Sequence, residues 1–278
     1  MSNDEFDTIG KWTEDKLNIL KDYVSAYTKI LDKQPKLKHE YIDGFSAKGQ
    51  HISRDSGDIV AGSPILALRI QPRFDKYTFI DIDQNKTLTL QREVDKEIVA
   101  IPNRQPEVII KTGDCNQILL NEVLPSITFS SYRRAICFLD PYGTHLDWKV
   151  IQKAGELETI DVFINFSISD MNRNAIRKDP TKVSEREIVR MNTLWGDESW
   201  RDLCYDTQGN LFNYAEKRKN DEIAEIFRKR LKEKAGFNYV PRPVAMKNRT
   251  NSTLYYLFFA SAKTVASKII THIFKKYR

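Results

Sequence analysis

An α/β fold built on an open, mostly parallel sheet is what this sequence predicts. Three observations carry the prediction. Short apolar runs end repeatedly in an acid, at Tyr41-Ile42-Asp43-Gly44, Phe79-Ile80-Asp81, Thr112-Gly113-Asp114 and Cys137-Phe138-Leu139-Asp140. Helical stripes alternate with those runs, and residues 159–166 are apolar on both faces through their middle, as a strand buried on both sides must be. At 278 residues and 41% hydrophobic, the chain can bury a substantial core.

Each element has its own signal. Residues 11–31 place Leu17, Leu20, Tyr23, Val24, Tyr27, Ile30 and Leu31 at helical spacing, with Thr13 as a candidate N-cap and Ile19 off the stripe. That helix is expected to cover the edge or entrance of the sheet. Strands follow near 39–45, 77–82, 107–111 and 134–140, and helices near 63–70, 84–99, 115–123 and 147–155. Residues 171–234 read as helical and polar, with Trp195, Trp200 and Tyr205 either as local core or as rings that stack on bases. Residues 254–260 return as a strand, and a basic helix follows over 261–276. The expected organisation is a cofactor-binding part over 1–170, a basic, mostly helical insertion over 171–250, and a terminal strand and helix over 251–278 that rejoin the core.

The net charge of +6 conceals an asymmetry, since residues 171–278 hold 23 Lys and Arg against 12 Asp and Glu. A basic region of that size attracts polyanions, so nucleic acid is an expected partner; the same residues around 216–234 also describe a solvated helix face. No apolar run approaches the roughly 18 residues of a membrane span, and the acidic Met1-Ser2-Asn3-Asp4-Glu5 start is unlike a leader, so a cytoplasmic setting without membrane contact is expected. Cys115, Cys137 and Cys204 are widely spaced, with no CxxC pair or nearby histidine cluster. Buried free thiols and no structural metal are expected.

In open parallel sheets, ligands bind beyond the carboxyl ends of the strands. In Asp43-Gly44-Phe45-Ser46-Ala47-Lys48-Gly49, the small residues Gly44, Ala47 and Gly49 permit a close backbone approach, although neither GxGxxG nor GxxxxGK[ST] is present. Asp81 or Asp83 can accept both hydroxyls of a ribose, and Asp114, next to Cys115, can take an adenine amine or cap a helix. In series these acids describe one adenosine pocket; singly, each reads as a solvated strand end.

These residues resemble the S-adenosylmethionine-dependent methyltransferases and, more closely, the three-Cys-motif partner protein family. The closer likeness lies in the Trp12-to-Tyr27 helix, the Tyr41-to-Gly49 segment, Ala61-Gly62-Ser63-Pro64, Phe79-Ile80-Asp81, Gly113-Asp114-Cys115 and Leu139-Asp140-Pro141-Tyr142-Gly143. It spans about residues 11–170, with a weaker echo at 255–260. The Gly62-Ser63-Pro64 element also resembles one in a ribosomal RNA adenine amino-methyltransferase family. The resemblance implies a Rossmann-like methyltransferase sheet flanked by helices, S-adenosylmethionine as cofactor, and a protein partner carrying a three-cysteine motif. Carried onto this chain, the cofactor-binding residues are Asp43, Gly44, Phe45, Ser46, Ala47, Gly49, Gly62, Ser63, Asp81, Asp83, Asp114 and Cys115.

Nucleobase amino-methyltransferases carry Asp/Asn-Pro-Pro-aromatic where this chain has Asp140-Pro141-Tyr142-Gly143. There the oxygens accept hydrogen bonds from the target amine while the ring stacks on the base. Asp140, Pro141 and Tyr142 are the expected catalytic residues, and Gly143, His145, Asn165 and Ser167 are expected to line the acceptor side. This chain lacks the second proline. Transfer to another acceptor, a non-catalytic cofactor-binding subunit of a protein complex, another adenosine-using enzyme, and a plain rigid strand exit therefore stay open as readings.

Overall fold

The computed structural model describes residues 6–99, 105–206 and 216–278. Its centre is a seven-stranded sheet of β1 (Lys38–Asp43), β2 (Lys76–Asp81), β3 (Glu107–Thr112), β4 (Arg133–Leu139), β5 (Ile160–Phe166), β6 (Val244–Lys247) and β7 (Thr253–Ala260), ordered 3-2-1-4-5-7-6. Strands β1 to β5 run parallel, whereas β7 is antiparallel to both β5 and β6. This is the Rossmann-like methyltransferase sheet expected from the sequence. The strand order reverses between β1 and β4, which opens a crevice at their carboxyl ends.

Ten helices flank it among the described residues: α1 (Lys11–Leu31), α2 (Ser63–Arg69), α3 (Gln84–Val99), α4 (Cys115–Ile118), α5 (Trp148–Leu157), α6 (Ile168–Asn174), α7 (Glu185–Trp195), α8 (Trp200–Leu203), α9 (Asn220–Glu233) and α10 (Thr264–Phe274). Helices α1, α2, α3 and α10 pack on one face, and α4 to α7 with α9 on the other. None is long and apolar enough to cross a membrane.

Of the two placements expected for α1, edge or entrance, the structure has the entrance: Trp12, Thr13 and Lys16 stand at the crevice. The rest of the helix lies across the face of the sheet: the Tyr23 ring sits 5.3 Å from Phe163 of β5 and 4.7 Å from Phe259 of β7, and its hydroxyl donates to Asp161 at 2.6 Å. Neighbours α2 and α10 cover its flanks, so Ile19, off the predicted stripe, is fully buried. Its N-cap is Gly10, with no side-chain cap bond, rather than Thr13.

The insertion shares the main core. Phe227 of α9 stacks on Phe166 of β5 at 4.3 Å and meets Phe258 of β7 at 5.3 Å, with Trp195 and Trp148 closing around it. Burial of each such ring contributes roughly 1.5–3 kcal/mol. The chain rejoins the sheet at Val244, ahead of the expected return at 251, because β6 pairs with β7 through a four-residue stretch too short to show a strand period. The sequence also gave no signal for a small second sheet, in which Asp7–Ile9 pairs with Gln50–Ser53 and that strand with Ile59–Ala61.

Candidate active site

A cavity of about 910 Å³ opens at the carboxyl ends of β1, β2, β4 and β5. Its wall includes Gly44, Phe45, Ala47, Asp81, Asp114, Cys115, Asp140, Pro141, Tyr142, Gly143, His145, Asn165 and Ser167, all predicted site residues. The volume falls in the range of small-molecule and cofactor sites.

The loop after β1 is stitched in place from both sides. Gly44 N–H donates to Phe138 O at 3.0 Å, and Ser46 N–H and hydroxyl both donate to Ile80 O. A Cβ at Gly44 would lie 2.7 Å from Cys115 Sγ, so the close approach needs glycine. Ala47 then adopts a left-handed φ of 50°, and its N–H is latched by Asp81 Oδ2 at 2.9 Å. Asp81 Oδ1 takes the Asp83 N–H at 2.9 Å. Each carboxylate oxygen retains acceptor capacity, and the side chain lines the cavity. Asp114 caps α4 through Oδ1, which accepts from Gln117 N–H at 2.9 Å, and the residue also lines the cavity.

Several predicted cofactor residues stand behind the wall rather than on it. Asp83 caps α3, accepting from Asn85 N–H at 2.8 Å, so its carboxylate is turned to the helix instead of a ribose. Ser46 and Asp43 are buried at 2% and 0% exposure. The Gly49 turn, at φ 81°, is packed against Leu90 and Ile65. Gly62 donates to Gly49 O at 2.8 Å and holds that turn from behind, and Ser63 bonds Asp43. These residues shape the loop; none of them lines the cavity.

Burial raises the Asp43 carboxyl from its ordinary 3.8 to about 7, against the bonds from Ser63 and Phe45 N–H; nearby Asp140 adds to the rise and Lys16 opposes it. The folded chain therefore keeps a proton that the unfolded chain releases near pH 4. Stability from this group is full below that point and is lost as pH rises to about 7. Asp43→Asn should flatten that slope, gaining on the parent by about 1.4 kcal/mol for each pH unit in the window. Urea melts at pH 4.5, 6 and 8 check this; parallel slopes would refute it.

At the exit of β4, the Asp140 carboxylate receives two donors. Asn165 Nδ2 donates to Oδ1 at 2.6 Å, and the Lys16 ammonium of α1 pairs with Oδ2. Lys16 is 5% exposed, packed 5.3 Å over the Tyr255 ring and 5.8 Å over Phe138. Burial alone would lower its ammonium, but Asp140 outweighs burial and holds it above its ordinary value. An acceptor-only carboxylate fixes the Asn165 amide, so Nδ2 faces Asp140 and Oδ1 is left as a buried acceptor without a partner. Thr144 Oγ1, on the same wall, is buried and unpartnered too. Tyr142, by contrast, is 90% exposed. Gly143 stands at φ 64°, where a Cβ would lie 2.6 Å from Asp170 Oδ2. His145 is exposed at the mouth, and its carbonyl accepts from Asn116. Ser167 caps α6 in position but makes no side-chain cap bond.

The predictions missed Lys16. Its signal was available: positions 16, 20, 23, 24 and 27 form one stripe, so a lysine occupies an apolar face. They also missed Lys86 and Arg190 on the cavity wall; Arg173, within the polar 170–174 stretch that reads as a substrate contact or the start of the insertion, joins them there, paired with Asp170 as Arg190 is with Glu187. All three cysteines are free and buried, and burial pushes each thiol up; no metal-binding cluster occurs among the described residues.

A scan against protein-family models finds no match, and neither does a search of curated proteins. Solved structures similar to this chain include a protein of Legionella pneumophila (TM-score 0.45, 9% identity, 94% of this chain and 92% of that one). The methyltransferase domain of bacterial CtHen1 is also similar (0.42, 12%, 87% and 99%). So is Trm1 from Pyrococcus horikoshii, solved with S-adenosyl-L-methionine (0.45, 11%, 93% and 58%). The fold assignment rests on the strand order itself.

Proposed function

We propose that this chain is an S-adenosylmethionine-dependent methyltransferase acting on an amino group of a nucleobase in nucleic acid. The observation that carries the reading is the Asp140 carboxylate, held by Lys16 and Asn165 in one cavity with Asp81, Asp114 and the exposed Tyr142 ring. In this reading Asp81 accepts the ribose hydroxyls, the second oxygen of Asp114 takes the adenine amine, and the backbone at Gly44 and Ala47 permits close approach. When bound, S-adenosylmethionine supplies an electrophilic methyl group. Asp140 and the unpartnered Asn165 Oδ1 accept N–H bonds from the target amine and so aim its lone pair. Tyr142 offers a stacking face to the base, and Lys86, Arg173 and Arg190 attract the phosphates.

Calorimetric titration with S-adenosylmethionine tests the cofactor half, and incorporation of labelled methyl groups into RNA and DNA tests the rest. Micromolar binding is expected, together with nucleic-acid affinity that falls tenfold or more between about 50 and 200 mM salt. Absence of cofactor binding by folded protein would overturn the reading.

One observation favours a second reading. The buried Lys16 ammonium already neutralises Asp140 and competes with an incoming amine. That suits a cofactor-binding subunit without transfer activity, such as the resemblance to the three-Cys-motif partner family implies. Cofactor binding with no methyl incorporation, and partner binding indifferent to Asp140→Asn, would select it.

A further inference from the structure

At the amino ends of β4 and β5, away from the cavity described above, a second cavity of about 380 Å³ opens between the C-terminal half of α1, the loop before β4 and the start of α10. Its wall is largely apolar, with Ile30, Phe129 and Val265 exposed on it. Two cations stand on that wall. The Arg134 guanidinium lies 4.4 Å and the Lys263 ammonium 4.7 Å from the Phe129 ring centroid. Arg134 donates to the Arg133 carbonyl at 2.6 Å, and Lys263 acts electrostatically on the buried Asp161 of the same wall.

Deeper in, Tyr27 is 9% exposed, and its buried hydroxyl has no hydrogen-bond partner among the described residues. The neighbouring Asp161 is already satisfied by Tyr23 at 2.6 Å and Ser261 at 2.5 Å, and the other acid on the wall, Glu158, is exposed. Helix α10 starts here without a side-chain cap, which leaves its first amides as donors. The cavity therefore combines apolar surface, the two cations Arg134 and Lys263, the first amides of α10 and one orphaned hydroxyl, with Asp161 as the buried acid that faces Lys263. That set is complementary to an amphiphilic anion.

We propose that this cavity is a second binding site, for a small organic carboxylate with an aromatic or branched apolar body. The carboxylate would sit among Arg134, Lys263 and the first turn of α10, and the body against Phe129, Ile30 and Val265. A polar tip on the ligand would satisfy Tyr27. The volume suits a compound of that size.

The test is titration of the full, isotope-labelled chain with 4-phenylbutyrate and with its uncharged amide, followed at the backbone amides of Thr264, Val265 and Ala266. The carboxylate should bind about tenfold more tightly than the amide, as a charge-assisted contact requires. Arg134→Gln and the solvent-exposed Lys263→Gln should each bring the carboxylate down toward the amide, and Val265→Trp should block both probes. Equal affinity for the two probes, no response at these amides to either, or Lys263→Gln protein that binds the carboxylate as the parent does would overturn the proposal. S-adenosylmethionine binding in the other cavity is a separate readout, so either assignment can fail alone.

Discussion

Asp140→Ala is expected to lose methyl transfer by about a hundred- to a thousandfold, the scale of one well-placed polar group in an active site, and to lose stability as well. The two losses have different causes and can be separated. Lys16 is 6% exposed at its side chain whereas Asp140 is 25% exposed, so deleting the carboxylate strands a buried ammonium while deleting the ammonium leaves a carboxylate that water can reach. Breaking a buried pair from the inaccessible side costs roughly 3–5 kcal/mol. Lys16→Met should cost much less, because the thioether can pack between Tyr255 and Phe138. The double variant Lys16→Met/Asp140→Ala should then recover most of the stability without recovering transfer. Urea melts and methyl-incorporation rates on the four proteins complete the cycle. Transfer restored in the double variant would show that Asp140 acts only by neutralising Lys16, and the proposed contact with the amine would fall.

The parts of this molecule legible in its sequence are those set by local period. The acid-ended apolar runs became β1, β2 and β4, and the stripe over residues 11–31 became α1 with the same ends. What escaped depends on partners far along the chain. Ile19 is buried because α2 and α10 flank α1, and β6 is a strand only because β7 lies beside it. The site divides in the same way. Strand-end acids announced a pocket, but which of them faces it is set by the surrounding fold: Asp43 is buried behind the wall, Asp83 turns to α3, and Asp114 caps α4 yet still lines the cavity. Lys16 and Asp140 are 124 residues apart, and no spacing rule joins them.

Asp81→Ala is expected to weaken S-adenosylmethionine binding by about a hundred- to ten-thousandfold, since two charge-assisted bonds to a ribose of roughly 1.5–3 kcal/mol each would go at once. A second effect runs through the loop. Asp81 Oδ2 holds the Ala47 N–H at 2.9 Å, and Ala47 sits at φ 50°, a conformation that costs an L-residue roughly 1–2 kcal/mol. Without the carboxylate the loop keeps its bonds at Gly44, Ser46 and Gly49 but loses the one that holds Ala47 itself, and this residue is expected to relax out of its cofactor-facing form. Ala47→Gly separates the two contributions, because glycine adopts positive φ without penalty. If Asp81 acted only by latching the loop, Ala47→Gly placed in the Asp81→Ala background would restore affinity. If it binds the ribose, little should return. We expect recovery of no more than about thirtyfold, the loop's share of the loss on the same energy scale. Calorimetric titrations of the parent, both single variants and the double variant decide it. Affinity in Asp81→Ala within threefold of the parent would remove the ribose contact, and with it the placement of adenosine between β1 and β2.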